Sequence, residues 1–468
     1  MKTKKLKLFI IIPDGVSLRN FAYSDFYKKG IDKGYDITFW NNTPFDLETL
    51  GFKSKPLLNP KLHWLSSILK SARVRIELSV FEKRTSDSIY KSYLFPLSFN
   101  GLKNSLKSLL TQFVTLCFNS EKGLQLIRKA INSLEQRTVY FKHCVSVLKT
   151  HQPDVIYCTS QRSVLAIAPM MAAKQLQIPT MCFIFSWDNL PKATLDVTAD
   201  YYTVWSKYMK NELLQYYPTI NEQQVIVTGT PQFESHYDIE QILSKTEFYN
   251  KYELDIERTY LCYSGDDITT SPKDELYLRD VAKAIRVLNT KGFNLGLVFR
   301  RCPVDFSNRY DSVIAEYNDV IVVIDPVWKK IGGVWDTILP LPEDSILLTN
   351  LAQHTAAVIN LGSSMVFDFV IHQKPCLYMN YNYLNANNAF SEGVYVYDYV
   401  HFRSKPNAKV VAWLNHPDKI ADIIVDTLEN SHHMVNNAND WYKTINEFPP
   451  EDASKRILES IKKVANSN

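Results

Sequence analysis

The sequence predicts an α/β protein made of two Rossmann-like domains facing each other across a cleft, with a basic helical insertion in the first. Three observations carry this expectation. Short apolar runs alternate with helical segments twice over along 468 residues, a length too great for one ordinary core. Strands separated by helices imply parallel sheets. Small, hydroxyl-bearing or charged residues recur just after the strands, where open α/β sheets bind their ligands.

The first series opens with the strand "LKLFIII", the turn "PDGVSLRN", the helix "FAYSDFYKKGIDKG" and the strand "YDITFW". After an interruption the rhythm returns. "PDVIYCTS" reads as a strand, "QRSVLAIAPMMAAKQLQ" as a helix and "IPTMCFIFS" as a strand. "DYYTVWSKYMKNELLQYY" follows as strand and helix, and "QQVIVTGTPQFE" as a strand closed by a turn. This series defines a first domain over residues 1–240. A polar, less regular stretch around Ser235–Arg258 holds the expected boundary.

The second series, residues 258–430, starts with "TYLCYSGDD", the helix "SPKDELYLRDVAKAIRVLNTKG" and the strand "FNLGLVFRRCP". A helix near 306–317, the strand "DVIVVIDP" and the strand–turn–helix–strand "AAVINLGSSMVFDFVIHQKPCLYMN" complete it. Residues 431–468 read as a polar helical tail broken by Pro449-Pro450.

Apolar residues make up 46% of the chain and aromatics 13%, a composition that excludes disorder. Seven cysteines stand far apart without a C-x-x-C pair, which reads as free thiols in a reducing compartment. The N-terminal run Leu8–Ile12 is too short for a signal peptide core and ends in Pro-Asp-Gly, so it reads as a buried strand. No stretch approaches the roughly 18 uninterrupted apolar residues of a membrane span. A cytoplasmic protein is expected.

The net charge of +4 hides an asymmetry, because residues 53–149 carry 17 Lys/Arg against five acids. The same segment has apolar residues at helical spacing, as in "LKNSLKSLLTQFVTLCF" and "LQLIRKAINSL". Basic amphipathic helices can rest on an anionic membrane face or hold an anionic lipid-linked substrate. The other reading is a solvated face whose apolar side packs on the core.

Gly362-Ser363-Ser364 follows an apolar strand. Glycine permits the tight turn, the serines can cap the next helix, and the helix start suits phosphate. Asp368 lies one helical turn on and can reach a ribose hydroxyl; the alternative is a plain serine cap with Asp368 exposed. Arg300 and Arg301 end a strand at the expected cleft edge, where a guanidinium clamps phosphate or carboxylate. Ser264-Gly265 form a third junction able to approach a ligand closely, with Asp266 and Asp267 read as caps of the following helix.

In the first series, Asp14 with Arg19-Asn20 lies in the first strand-to-helix loop, and Trp187, Asp188 and Asn189 just past another strand end. A carboxylate here can act as general base on an acceptor hydroxyl. The bland readings are a turn residue for Asp14 and an Asx turn or helix cap for Asp188. There is no G-x-G-x-x-G, P-loop, H-E-x-x-H or G-x-S-x-G pattern. The ten histidines show no metal-ligand spacing and there is no D-x-D. No metal or other cofactor is expected, and no nucleic-acid-binding signature accompanies the basic region.

Taken in order, "IIPDGVSLRNF", "SWDNLPKATLDVTADYYTVWSKYMKNEL", "VTGTPQFE", "LVFRRCP" and "PEDSILLTNLAQHTAAVINLGSSMVFDFVIHQKPCLYM" resemble bacterial surface-polysaccharide enzymes of the GT-B glycosyltransferase type. These include the polymer-forming glycerophosphotransferases built on that plan. The resemblance is of pattern and is weakest over residues 53–149. It implies a nucleotide-sugar donor held mainly by the second domain through Ser264, Gly265, Arg300, Gly362, Ser363, Ser364 and Asp368. Cys302 stands where the family's Arg-x-His-Pro element has histidine.

The resemblance also implies a lipid-linked or oligosaccharide acceptor near Arg19, Asn20, Trp187 and Asn189, with Asp14 or Asp188 as base. A tail crossing back to the first domain is implied as well. The function it points to is metal-independent glycosyl transfer in capsule or lipopolysaccharide synthesis, peripheral on the inner membrane face. Polyol-phosphate transfer from a CDP donor, sugar-nucleotide epimerisation and a non-catalytic scaffold are the alternatives.

Overall fold

A computed structural model describes residues 5–332, 337–384 and 390–467. The chain begins with β1 (Leu6–Ile12), α1 (Gly15–Phe21), α2 (Asp25–Asp32), β2 (Tyr35–Asn41) and the short β3 (Ser54–Pro56). The basic stretch then forms α3 (Ser66–Thr85), α4 (Leu102–Phe118), α5 (Glu121–Glu135) and α6 (Val139–His151). The sheet resumes with β4 (Val155–Cys158), α7 (Ile167–Gln175), β5 (Thr180–Phe183), β6 (Tyr201–Val204), α8 (Lys207–Tyr216) and β7 (Val225–Val227).

The second series runs α9 (Lys245–Lys251), β8 (Thr259–Ser264), α10 (Asp274–Thr290), β9 (Leu295–Arg300), α11 (Asp311–Glu316) and β10 (Ile321–Val323). It continues through β11 (Trp328–Lys330), β12 (Ile338–Pro340), α12 (Glu343–His354), β13 (Val358–Asn360), α13 (Met365–Ile371) and β14 (Cys376–Met379). The small pair β15 (Tyr381–Tyr383) and β16 (Phe390–Glu392) precedes β17 (Ala412–Leu414), α14 (Ile420–Asn430), α15 (His432–Ile445) and α16 (Ala453–Asn466).

The chain divides into two compact units, Met1–Pro231 with Ile445–Asn468, and Gln232–Thr444. The division falls ahead of the polar stretch Ser235–Arg258. In the first unit seven strands stand in the order β3-β2-β1-β4-β5-β6-β7, every pair parallel. The run Leu8–Ile12 is fully buried at the centre of this sheet, as its unbroken apolar character requires in a parallel sheet covered on both faces. Phe21 of α1 anchors the core, its ring 5.5 Å from Tyr157 and 5.3 Å from Phe183 in edge-on contacts. The Tyr35 hydroxyl donates to the Leu458 carbonyl of α16 at 2.7 Å, which ties the chain's end to this unit.

The second unit repeats the plan, with a six-stranded parallel sheet in the order β10-β9-β8-β13-β14-β17. Both orders reverse direction beside the first strand, between β1 and β4 and between β8 and β13. That reversal opens a crevice at the carboxyl ends of the strands, and it is where doubly wound sheets hold ligands. Both units are therefore Rossmann-like. All seven cysteines are free, and among the described residues no helix is long and apolar enough to cross a membrane.

Two local expectations need correction. Arg19 and Asn20 lie inside α1 and not in a loop, because the Asp14 side chain accepts the Ser17 amide and starts the helix at Gly15. The expected single helix from Phe21 to Gly34 is broken, since Ser24 caps a new start at Asp25.

Helix α4 is reversed relative to an ordinary surface helix. Its polar Ser108 and Thr111 are buried, while Leu102, Leu106, Leu109, Phe113 and Leu116 are exposed, Leu102 by 92% and Leu116 by 81%. The spacing of these five residues puts them on one helical face. The reading in which that apolar side packs on the core is therefore wrong for α4.

Candidate functional site

The carboxyl edge of the second sheet gathers the strand-end residues. Ser264 of β8 stands in register with Arg300 of β9. Val358 and Ile359 of β13 pair with Cys262 and Tyr263, which carries Asn360 to the same level as Ser264. The three strand ends thus form one row around the β8/β13 switch point.

At the end of β13 the Asn360 carbonyl oxygen of the side chain accepts the Ser363 amide at 2.8 Å, and the Tyr378 hydroxyl donates to the Ser363 carbonyl at 2.9 Å. Gly362 lies between them at φ +70, where a Cβ would meet Phe402 at 3.2 Å and Tyr397 at 3.3 Å, so only glycine fits without strain. Ser363, and not Ser364, supplies the side-chain cap, its Oγ accepting the Met365 amide at 3.3 Å. Ser364 makes no side-chain cap bond. The helix behind the turn, α13, has only seven residues, which limits its dipole.

Arg300 is buried at the end of β9. Its Nη2 donates to both Asp344 carboxylate oxygens, at 2.8 and 3.1 Å, while its Nη1 is buried with no partner. Asp344 also accepts the Val327 amide at 2.8 Å and the Trp328 indole N–H at 2.6 Å. Burial alone would raise the Asp344 carboxyl; the Arg300 charge and these donors overcome it and hold the group below its ordinary range. The alternative of a surface ion pair is thus replaced by a buried one that leaves half of the guanidinium fork uncommitted.

Asp368 differs from both sequence readings. It is neither exposed nor open to a ribose, because α13 turns it inward: the side chain is 3% exposed and its Oδ1 lies 2.9 Å from His236 Nε2. His236 Nδ1 lies 2.9 Å from His372 Nε2, and His372 Nδ1 lies 2.7 Å from Gln353 Oε1. With Gln353 offering a carbonyl oxygen, His372 donates from Nδ1 and accepts at Nε2 from His236, which donates in turn toward Asp368. Burial, then the neighbouring His236, pushes His372 down to about 3, so it stays a neutral acceptor.

The space on the Cβ side of Gly265 is filled. A Cβ there would meet Phe299 at 3.1 Å, the Tyr310 hydroxyl at 3.1 Å and Asp274 at 3.3 Å. The adjacent carboxyls do not cap α10 as expected. Asp267 organises a turn by accepting the Thr269 amide at 2.8 Å, and Asp274 accepts the Asp266 amide at 3.2 Å and the Tyr310 hydroxyl at 2.8 Å. Burial, then the Asp274 charge, raises Asp266 to about 8.

In the first unit, Asp14 ends β1 at the other switch point. Burial raises its carboxyl above the ordinary value, against the Ser17 amide and hydroxyl and the Arg162 charge. Asp188 is committed on both oxygens, one to the Asn189 side-chain amide at 2.9 Å and the other to Lys192. Asn20, Trp187 and Asn189 are buried and not open to an acceptor. Asn189 is held by Gln161, whose Nε2 donates to it at 3.0 Å and whose Oε1 accepts the Phe185 amide at 2.8 Å. Arg19 reaches Asn20 at 3.2 Å.

Among the described residues no cluster of three or more His, Cys, Asp or Glu is arranged to hold a metal. His236, His372, Gln353 and Asp344 were invisible in the sequence, because no local spacing links residues from 19 to 136 positions apart.

No protein-family model matches the chain, and no curated protein matches it. Solved structures do. The S. aureus MnaA–UDP co-structure matches with a TM-score of 0.55 at 13% identity, over 98% of this chain and 97% of that one. The UDP-GlcNAc 2-epimerase from Methanocaldococcus jannaschii matches with a TM-score of 0.52 at 12% identity, over 98% of this chain and 100% of that one. A glycosyltransferase from Rickettsia africae ESF-5 matches with a TM-score of 0.52 at 12% identity, over 100% of both chains. At such identity the likeness is one of fold: the chain has the two Rossmann-like domains of GT-B epimerases and glycosyltransferases.

Proposed function

We propose that the chain is a nucleotide-sugar enzyme, and specifically a glycosyltransferase that moves a sugar from its donor to a lipid-linked or growing bacterial surface glycan. The observation that carries this reading is Arg300 Nη1, a buried guanidinium nitrogen without a partner at a carboxyl edge. Such a nitrogen, fixed by Asp344 from one side, is a donor waiting for a phosphate oxygen.

In this reading Arg300 and the Gly362–Ser364 turn hold the donor phosphate, beside Ser264. The acceptor oxygen bonds to the anomeric carbon as the bond from that carbon to the phosphate oxygen breaks, and Arg300 stabilises the charge left on the phosphate. Metal independence is part of the proposal and rests on the absence of D-x-D from the sequence. Screening nucleotide sugars with lipid-linked and free glycan acceptors, with and without chelator, tests it. Acceptor-dependent release of nucleotide that survives chelation is the expected result.

A second reading is epimerisation of a nucleotide sugar, favoured by the fold comparison. Two of the solved structures that share this fold are a UDP co-structure and a UDP-GlcNAc 2-epimerase. Conversion of UDP-GlcNAc with no acceptor present would select this reading over transfer.

The acceptor's lipid is proposed to meet the protein at α4. Its exposed leucine and phenylalanine face is accompanied by exposed Phe95 and Phe99 and by Lys103 and Lys107. An apolar stripe within a strongly basic segment matches an anionic membrane surface, on the inner face of the cell membrane.

A further inference from the structure

A cavity of about 330 Å³ lies beneath the helical insertion, wholly within the first unit and apart from the strand-end residues described above. Its walls come from α3, α4, α5 and α7 and from the loop around Asp196 that follows β5. The volume falls at the small end of the roughly 300–1,000 Å³ range of small-molecule sites.

The wall is built around charges that are out of water. Arg73 is 1% exposed, with Nη1 donating to Glu77 at 2.6 Å and Nη2 to Asp196 at 2.8 Å. Arg128 donates to the same Glu77 oxygen at 2.8 Å and to the Leu195 carbonyl at 2.7 Å. Glu135 is 0% exposed; its Oε1 accepts the His63 amide at 3.1 Å and the Ser66 hydroxyl, while its Oε2 has no partner. A buried carboxylate oxygen without a donor is unfavourable unless something supplies one. The oxygen therefore asks for a hydroxyl on a ligand.

The rest of the wall says what kind of ligand. Of the four cations at the wall, Arg73 is paired with Glu77 and Asp196, Arg128 with Glu77, and Lys70 lies 3.3 Å from Asp196, which leaves Lys107. Lys107 has no ion-pair partner among the described residues. The uncommitted ammonium of Lys107 favours an anion, and hydroxyl or amide groups from Ser67, Ser71, Asn132 and Thr198 favour a polyhydroxylated body. Leu62, Ile131, Val164 and Ile167 supply the apolar floor on which a sugar ring can rest.

We infer that this cavity binds an acidic saccharide unit, a sugar bearing a phosphate or carboxylate, with a hydroxyl donating to Glu135 Oε2 and the acid facing Lys107. Its role as part of an acceptor rests on the glycosyltransferase reading; its binding chemistry does not. Lys107 lies on α4, so a saccharide held here sits beside the face proposed to meet the membrane.

The test is ligand-observed NMR titration of the full chain with glucose 6-phosphate, glucuronate, glucose and inorganic phosphate, with UDP titrated in parallel. Glucose 6-phosphate or glucuronate should bind at least about fivefold more tightly than glucose or phosphate alone. Whichever of the two binds better identifies the acid. Glu135→Gln and Lys107→Ala should each weaken that binding by about fivefold or more and leave UDP binding unchanged. Lys107 is exposed, so its variant keeps the test valid where Glu135→Gln lowers stability. Equal binding of glucose and glucose 6-phosphate, no binding of either acid, or Lys107→Ala without effect would overturn the inference. A chain that binds the acidic sugar but no nucleotide overturns the nucleotide-sugar reading and leaves this site standing.

Discussion

Arg300 and Asp344, 44 positions apart, meet through a single guanidinium nitrogen, so that Nη2 is shared between both carboxylate oxygens and Nη1 remains buried and unpartnered. This is the arrangement of a clamp half closed by the protein itself. Arg300→Ala is expected to weaken UDP binding at least about tenfold in calorimetry, a loss of about 1.4 kcal/mol. Arg300→Lys should recover little, since an ammonium lacks the fork. Unchanged affinity in Arg300→Ala would sink the phosphate assignment.

The His236–Asp368 pair is a buried ionisable contact whose partners are both close to fully covered. Removing one partner leaves the other uncompensated, at a cost of about 3–5 kcal/mol. Asp368→Ala and His236→Ala should each lower the midpoint of chemical denaturation, and the double variant should cost less than the two singles combined. Additive losses would mean that the two groups do not act as a pair.

Gly362→Ala should cost about 1–2 kcal/mol, because the new methyl meets the rings of Phe402 and Tyr397 at a left-handed backbone position. Since this turn is proposed to hold phosphate, the same variant should also weaken UDP binding. A stable variant with wild-type affinity would show that the turn has another role.

Glu212 is buried with its Oε2 unpartnered, and burial, then the Asp188 charge, raises its carboxyl to about 8. The folded chain therefore keeps a proton that the unfolded chain loses at its lower, ordinary value. The resulting stability is full below that ordinary value and is lost as pH rises through 8, by up to about 1.4 kcal/mol per pH unit. Glu212→Gln should flatten this slope and stabilise the protein above pH 8. Parallel stability–pH curves for variant and wild type would contradict the assignment.

Wild-type protein is expected to float with anionic vesicles at low salt and to be released as salt is added, because the basic residues around α4 are screened. Replacing Leu106, Leu109, Phe113 and Leu116 together with Ser should abolish flotation even at low salt. Persistent flotation would assign membrane contact to another surface.

Much of the architecture was legible from periodicity. Leu8–Ile12, "VIYC", "TMCF" and "LGLVFR" are unbroken apolar runs, and such runs between amphipathic helices have no stable home except a covered parallel sheet. The order of strand-end residues along the chain also marked the row in which Ser264, Arg300 and the Asn360–Ser364 turn stand. Three-residue strands such as β3, β11 and β17 escaped, being too short to carry a pattern.

What the sequence determined by itself is thus the sheet-building rhythm, the two α/β series and the strand ends at which chemistry collects. Only the tertiary structure decided which side chains meet there. Asp344 reaches Arg300 and His236 reaches Asp368 across intervening helices and strands, whose arrangement no local spacing encodes. The turn of α13 takes Asp368 away from an open edge. Periodicity likewise identified the apolar stripe of α4 but not its direction, because a 3.6-residue repeat says that one face differs from the other. Which face the protein covers depends on the neighbours that α4 is packed against, and here those neighbours take Ser108 and Thr111 and leave the leucines outside.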